Sequence, residues 1–233
     1  MSKKINLKTW DSMEKLRNSF FSVICFASRK SGKSELIKYI YQKCDFGSEY
    51  DFVIVMSESM ETLDFFSEVV HGNLFFNKFD NQYIDNIIAQ SEKLESEGTK
   101  KKFLVIFDDV IGNDVKSSLA VQKLYAIGRH YSISCILIIQ KLTLMSTTVR
   151  NNSDVIFIGR AKSGSERKSI IDNMFKGMAS TSEIEKYGFK TKEDFYETLL
   201  NEHTSSYNFI VLDYTDPNNY KFVDVVNTFK ADI

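Results

Sequence analysis

The sequence predicts an α/β protein: a central, mostly parallel sheet flanked by helices, closed by a C-terminal β-hairpin and helical extension. Three observations carry that expectation. Apolar runs of strand length alternate along the chain with segments of helical periodicity, the pattern of strand–helix–strand units whose sheet is covered on both faces. The first run, residues 20–26, stops at Ala27-Ser28-Arg29-Lys30-Ser31-Gly32-Lys33-Ser34 and gives way to Leu36, Ile37 and Ile40 on one helical face. A later run, residues 103–107, ends in Asp108-Asp109. Strand, small-residue turn, Gly-Lys-Ser and helix make a P-loop. With an acid-tipped strand downstream, the chain falls in the P-loop NTPase class.

The residue types in the octet follow from phosphate chemistry. Successive backbone N–H groups and the positive end of the next helix cradle the β- and γ-phosphates. Lys33 places an ammonium against those phosphates, and the Ser34 hydroxyl ligates Mg²⁺. Gly32 stands where the backbone approaches the phosphate most closely or takes a conformation that a Cβ hinders. The first position, commonly Gly, is Ala27, so residues 27–34 are a relaxed form of the motif. Alone, they also fit a Ser- and Lys-rich surface loop between strand and helix.

Composition sets the outer limits. With 233 residues, 43% of them hydrophobic and 13% aromatic, the chain can bury a sizeable core, and wholesale disorder is excluded. The net charge of −1 means that any nucleic-acid contact needs a local basic patch. Cys25, Cys44 and Cys135 lack metal-ligand or disulfide spacing and read as reduced core residues of an intracellular protein. No apolar run reaches the length of a membrane span, and the first residues lack a signal-type apolar stretch. One domain is expected over 1–233: an N-terminal helical segment (1–18), an ATPase core (19–160), and C-terminal helices and strands (161–233).

The elements follow in order. Trp10, Met13 and Leu16 share an apolar helical face, to pack on the sheet edge or on a neighbouring subunit. The P-loop helix ends near Lys43-Cys44-Asp45-Phe46-Gly47. Residues 51–56 form a doubly buried strand and Leu74-Phe75-Phe76 a short one. Ile84, Ile87, Ile88 and Leu94 mark an amphipathic helix over 82–97. The strand ending in Asp108-Asp109 reads as a Walker B motif, because two acids at the tip of a buried strand are costly unless a cation or a reaction uses them. Asp108 then serves the Mg²⁺ shell and Asp109 the attacking water; capping of the next helix is the plainer alternative.

Residues 117–129 are helical in pattern, with Leu119, Val121, Leu124 and Tyr125 apolar, and Gly128-Arg129-His130 closes them. The strand over 132–139 ends in Gln140, an amide at the carboxyl end of a core strand, where ligands bind in parallel sheets. There it would sense the γ-phosphate or orient water. Arg150 lies in a loop before the strand over 154–159, a place from which ring ATPases reach a neighbour's γ-phosphate; Arg129 is the second candidate. Further on, an amphipathic helix is expected over 161–176 and another around Phe195, Leu199 and Leu200. Residues 207–214 form a strand, Pro217-Asn218-Asn219 a turn, and 220–226 the returning partner. Arg160, Lys162, Arg167 and Lys168 face either DNA or solvent.

The order P-loop, Asp108-Asp109, Gly128-Arg129-His130, Ile133-Ser134, Gln140 and Arg150-Asn151 resembles the poxvirus-type genome-packaging ATPases of large DNA viruses and virophages, within the FtsK–HerA superfamily. The resemblance spans roughly residues 20–159. It implies ATP and Mg²⁺ as cofactors, with phosphate and metal at Lys33 and Ser34, metal and water at Asp108 and Asp109, Gln140 as sensor and Arg150 as trans-acting finger. It also implies a homo-oligomeric ring, pentameric or hexameric, that moves double-stranded DNA into a preformed capsid through a capsid or portal component, in the host cytoplasm or viral factory, with association with the virion as a further option. A cellular or plasmid-type translocase or helicase of the same superfamily shares the core motifs. A non-hydrolysing nucleotide-binding protein would need neither Asp109 nor Gln140, and a nucleoside kinase would need a lid and a base pocket that the sequence does not signal.

Overall fold

The computed structural model describes residues 4–72, 74–110, 116–216 and 221–230. The chain runs β1 (Lys8–Thr9), α1 (Met13–Asn18), β2 (Ser22–Phe26), α2 (Lys33–Lys43), α3 (Phe46–Glu49), β3 (Phe52–Met56), α4 (Met60–Ser67), β4 (Phe75–Phe76), α5 (Asn81–Ser96) and β5 (Phe103–Asp108). It continues through α6 (Leu119–Ile127) and a 3₁₀ turn (Gly128–Tyr131), β6 (Ile133–Ile139), a second 3₁₀ turn (Leu142–Leu144), α7 (Thr147–Asn151) and β7 (Val155–Ile158). The last part is α8 (Gly164–Ile170), which passes into a π-helical turn (Ile171–Phe175), then α9 (Thr181–Lys186), α10 (Lys192–His203), β8 (Asn208–Asp213), α11 (Phe222–Val225) and β9 (Val226–Lys230).

Among the described residues the strands form one nine-stranded sheet in the order β1-β9-β8-β7-β2-β6-β5-β3-β4. From β7 to β4 every neighbour pair is parallel; β8 is antiparallel to β7 and to β9, and β1 is parallel to β9. The register Val23↔Ile136 and Ile106↔Ile136 sets β2 and β5 on either side of β6, so the P-loop strand and the acid-tipped strand end level, one strand apart.

Alternation along each strand builds two cores. Ile24, Phe26, Val105, Phe107 and Leu137 face α5, α6 and α10, whereas Val23, Cys25, Leu104, Ile106 and Ile138 face α1, α2 and α4. Each parallel strand is therefore apolar on both sides, which is why these strands read as continuous apolar runs in the sequence. The three cysteines are buried free thiols within this packing.

Several sequence expectations shift at the edges. Trp10 does not lie on a helix: its N–H extends the β1–β9 pairing by donating to Thr228 O at 2.8 Å, while its ring packs against Phe157 and Phe229 and its indole N–H donates to Asp213 at 2.9 Å. Met13 and Leu16 do lie on α1, and Leu16 is buried, so the N-terminal segment packs on the sheet of its own chain. The strand that returns against β8 is 226–230, later than the 220–226 expected, because residues 222–225 take one helical turn first. Pro217-Asn218-Asn219 and Tyr220 lie outside the described residues. Leu119, grouped with the apolar face of its helix, is instead 78% exposed, since as the first residue of α6 it precedes the turn that meets the sheet. No helix among the described residues is long and apolar enough to cross a membrane.

Candidate active site

Four chain segments converge at the carboxyl ends of β2, β5 and β6. The loop after β2 leaves the sheet smoothly: Ala27 N donates to Ile139 O at 3.3 Å and Ser28 N to Arg160 O at 2.9 Å. Left-handed backbone falls at Lys30 (φ 59°) and Gly32 (φ 78°), and Gly32 is the N-cap of α2. Glycine frees that position from the steric cost that an L-residue carries there, whereas Lys30 bears it.

Ala27 is not in left-handed backbone, so nothing in the chain's path there demands glycine. Its methyl fits because Gly159, on the neighbouring β7 side, has no Cβ: one built there would lie 2.8 Å from Ala27 Cβ and 2.6 Å from Phe209 Cε1. The departure from the common motif is therefore absorbed by packing.

Lys33 is nearly buried, and its Nζ donates to Ser28 O at 3.1 Å. Burial lowers its pKa, opposed by the acidic groups around it, Asp108 and Asp109 among them. The Ser34 hydroxyl donates to Asp108 Oδ2 at 2.5 Å. Burial pushes the Asp108 carboxyl up to about 6, with the Ser34 hydrogen bond and the Lys33 charge working the other way. A carboxylate 3% exposed, paired with a hydroxyl rather than with a cation in contact, is a hard-oxygen ligand set of the kind that suits Mg²⁺.

Asp109 takes left-handed backbone (φ 51°), which turns the chain sharply after β5. Its Oδ1 accepts from Gln140 Nε2 at 2.6 Å, so the amide at the end of β6 holds the second acid over the cleft. Positive φ at a non-glycine residue stores strain of the sort found at functional sites.

The cleft has a volume of about 410 Å³, with Arg29, Lys30 and Ser31 at the phosphate-loop side and Asp108, Asp109 and Gln140 opposite. A third wall was not read from the sequence: Ser59, Glu61, Thr62 and Phe65, around the start of α4. The available signal was Ser59 as the cap of a helix leaving a parallel strand, since its hydroxyl accepts from Thr62 N at 3.3 Å. Lys38 of α2 ties this wall down, stacking 4.3 Å over the Phe65 ring and pairing with Glu68.

The two arginines are placed elsewhere. Arg150 is on α7 and not in a loop, and its Nη1 donates to Asn173 Oδ1 at 3.2 Å. Arg129 lies in the turn before β6 and pairs with Asp154 at 3.1 Å, whose other oxygen accepts from Ser22 N at 2.7 Å. Both sit toward the amino ends of β6 and β7, at the end of the sheet away from Lys33 and Asp108. Arg167, one of the charges considered for DNA, pairs with Glu197 at 3.0 Å.

A family model for the poxvirus A32 protein matches residues 10–187. The chain belongs to the poxvirus A32 protein family. The resemblance to poxvirus-type packaging ATPases drawn from the motif order is thereby borne out. This A32-family chain is 23% identical over 212 residues to the uncharacterized protein 075L of Invertebrate iridescent virus 6, covering 90% of this chain and 76% of the relative. With the uncharacterized protein 015R of Frog virus 3 (isolate Goorha) it shares 25% over 207 residues, covering 86% of this chain and 58% of the relative.

Among solved structures, the genome packaging NTPase B204 from Sulfolobus turreted icosahedral virus 2, in complex with ATP-gammaS, matches with a TM-score of 0.59 at 17% identity, covering 93% of this chain and 100% of that one. The pCW3 conjugation coupling protein TcpA matches with a TM-score of 0.57 at 14% identity, covering 99% of this chain and 71% of that one. These likenesses establish the P-loop NTPase fold of the A32-family chain.

Proposed function

We propose that this A32-family ATPase is an ATP-driven translocase of double-stranded DNA that packages a viral genome into a preformed capsid as a homo-oligomeric ring. The observation that carries the ATPase step is the convergence of Lys33, the Ser34–Asp108 pair and the Gln140–Asp109 pair on one cleft. Lys33 and the N–H groups of residues 28–34 bind the phosphates; Ser34 and Asp108 would hold Mg²⁺. When bound, the metal would offset the charge that develops on the phosphoryl oxygens. Asp109, oriented by Gln140, takes the proton of the attacking water.

Arg150 serves the neighbouring subunit's site. Its place at the far end of the sheet from its own P-loop is compatible with action across a subunit boundary, and Asn173, its neutral partner, leaves its charge uncompensated in that contact. Hydrolysis would then change the contact between subunits, and basic residues toward the ring centre would carry the duplex by its phosphates, without sequence preference and with strong salt dependence. The ring meets a capsid or portal component, and it acts in the host cytoplasm or viral factory, where genome and capsid meet.

ATP hydrolysis with and without double-stranded DNA, on wild type, Lys33→Ala and Asp109→Asn, tests this reading. Turnover that rises with DNA and is lost in both variants supports it. Full DNA-stimulated activity in Lys33→Ala would sink it.

A further inference from the structure

The phosphate loop is held from outside itself. Ser28 is buried, and each of its polar atoms is engaged: N donates to Arg160 O at 2.9 Å, Oγ accepts from Lys162 N at 3.0 Å and donates to Glu166 Oε2 at 3.1 Å. Its carbonyl accepts from Lys33 Nζ at 3.1 Å and from the Ser31 hydroxyl. The atom that orients Lys33 thus belongs to a residue clamped by the segment that leads from β7 into the first turn of α8.

Glu166 is the centre of that clamp. Besides the Ser28 hydroxyl, its Oε2 accepts from Lys162 N at 2.9 Å and Ser163 N at 3.3 Å, and it closes a capping box with Ser163 at the start of α8. Partial burial works against its charge, yet the N–H groups of Ser163 and Lys162, the Ser28 hydroxyl and the Lys141 ammonium hold its carboxyl below the usual range. A fixed negative charge beside a phosphate site repels the ligand, so capping alone is a poor reason for it. The chain provides its own comparison. Glu183 closes the same kind of box with Ser180 on α9, and among the described residues its hydrogen bonds return to Ser180. At Glu166 an additional bond reaches 138 residues back to the P-loop.

We propose that Glu166 is a positioning residue of the nucleotide site, which acts through Ser28 to fix the carbonyl that aligns Lys33 and Ser31 with the phosphates. This deepens the reading of residues 27–34 as the phosphate loop and rests on it. Glu166 itself touches no nucleotide; its effect is on affinity.

The test is equilibrium binding of a fluorescent N-methylanthraniloyl ATP with Mg²⁺, together with thermal unfolding, on the full chain. Glu166→Ala should weaken binding about tenfold, in line with loss of a charge-assisted hydrogen bond. Ser163→Ala breaks the same capping box without touching Ser28, and should lower the melting temperature comparably while leaving affinity within about twofold. Glu166→Gln keeps an acceptor oxygen and should retain most of the affinity. Ser28→Ala cuts the bond from the other side, and should weaken binding as Glu166→Ala does, with little added effect in the double variant. Equal weakening by Glu166→Ala and Ser163→Ala, or additive effects of Glu166→Ala and Ser28→Ala, overturns the proposal while the phosphate-loop reading stands. A wild type that binds no nucleotide overturns both.

Discussion

Gly159→Ala puts one methyl group into the tight space between Phe209 and Ala27, the first residue of the P-loop. The added Cβ would lie 2.6 Å from Phe209 Cε1, 2.8 Å from Ala27 Cβ and 3.0 Å from Phe209 Cδ1, whereas carbon atoms rest at about 3.5–4.0 Å. Relief therefore needs movements approaching 1 Å. Both neighbours are 0% exposed, and each belongs to a hydrogen-bonded part of the sheet: Ala27 N bonds Ile139 O, and Phe209 pairs with Phe229 of β9. Overpacking of this kind costs about 1–3 kcal/mol, and the three contacts here argue for the upper part of that range. For a chain of this size the melting temperature should fall by roughly 4–12 °C. Because the displaced residue opens the P-loop, nucleotide affinity should fall as well.

The companion variant Ala27→Gly removes the 2.8 Å contact, so the double variant should regain part of the lost stability, with a coupling of about 1 kcal/mol between the two sites. Thermal and urea unfolding of the four proteins measure it. A Gly159→Ala protein within about 0.5 kcal/mol of wild type, or strictly additive effects, would refute the argument that Gly159 accommodates Ala27.

Other outcomes are equally open to measurement. Burial holds the Asp108 carboxyl at about 6, against an ordinary value near 4, so the unfolded chain loses this proton first; nucleotide-free stability should fall as pH rises through that window and stay lower above it. Asp108→Asn should thus stabilise the nucleotide-free protein at neutral pH by up to ~3 kcal/mol, with the gain shrinking toward pH 4, while turnover is lost. A gain that does not depend on pH would contradict this origin. Gln140→Ala frees Asp109 from its 2.6 Å bond and should lower kcat ~10²-fold with nucleotide affinity little changed. Arg150→Ala and Lys33→Ala should each be inactive alone, yet mixed rings should recover activity where an intact site meets an intact arginine; no recovery at any ratio rules out action in trans. Trp10→Phe removes the bond to Asp213 at 2.9 Å, a partly charged contact, and should cost about 1.5–3 kcal/mol in urea unfolding.

What the sequence determined by itself is the fold class and the residues that line two walls of the cleft. Strands buried on both faces must be apolar at nearly every position, so β2, β3, β5, β6 and β7 stand out as continuous runs. Polar residues at their carboxyl ends, Asp108, Asp109 and Gln140, and at the start of the helix after β2, Lys33 and Ser34, stand out against that background, and parallel topology brings those ends together. Contacts between distant segments leave no such trace. Trp10 continues the edge strand β1 because β9, more than 200 residues later, offers its N–H a partner, and a two-residue strand has no period of its own to display. The Ala27–Gly159 fit, the wall around Phe65 and the Ser28–Glu166 bond each depend on which elements the sheet order makes neighbours. The two arginines show the same division. Their charge is written in the chain, but whether that charge faces Asp154 or Asn173 was decided only when β6, β7 and the π-helical turn after α8 packed.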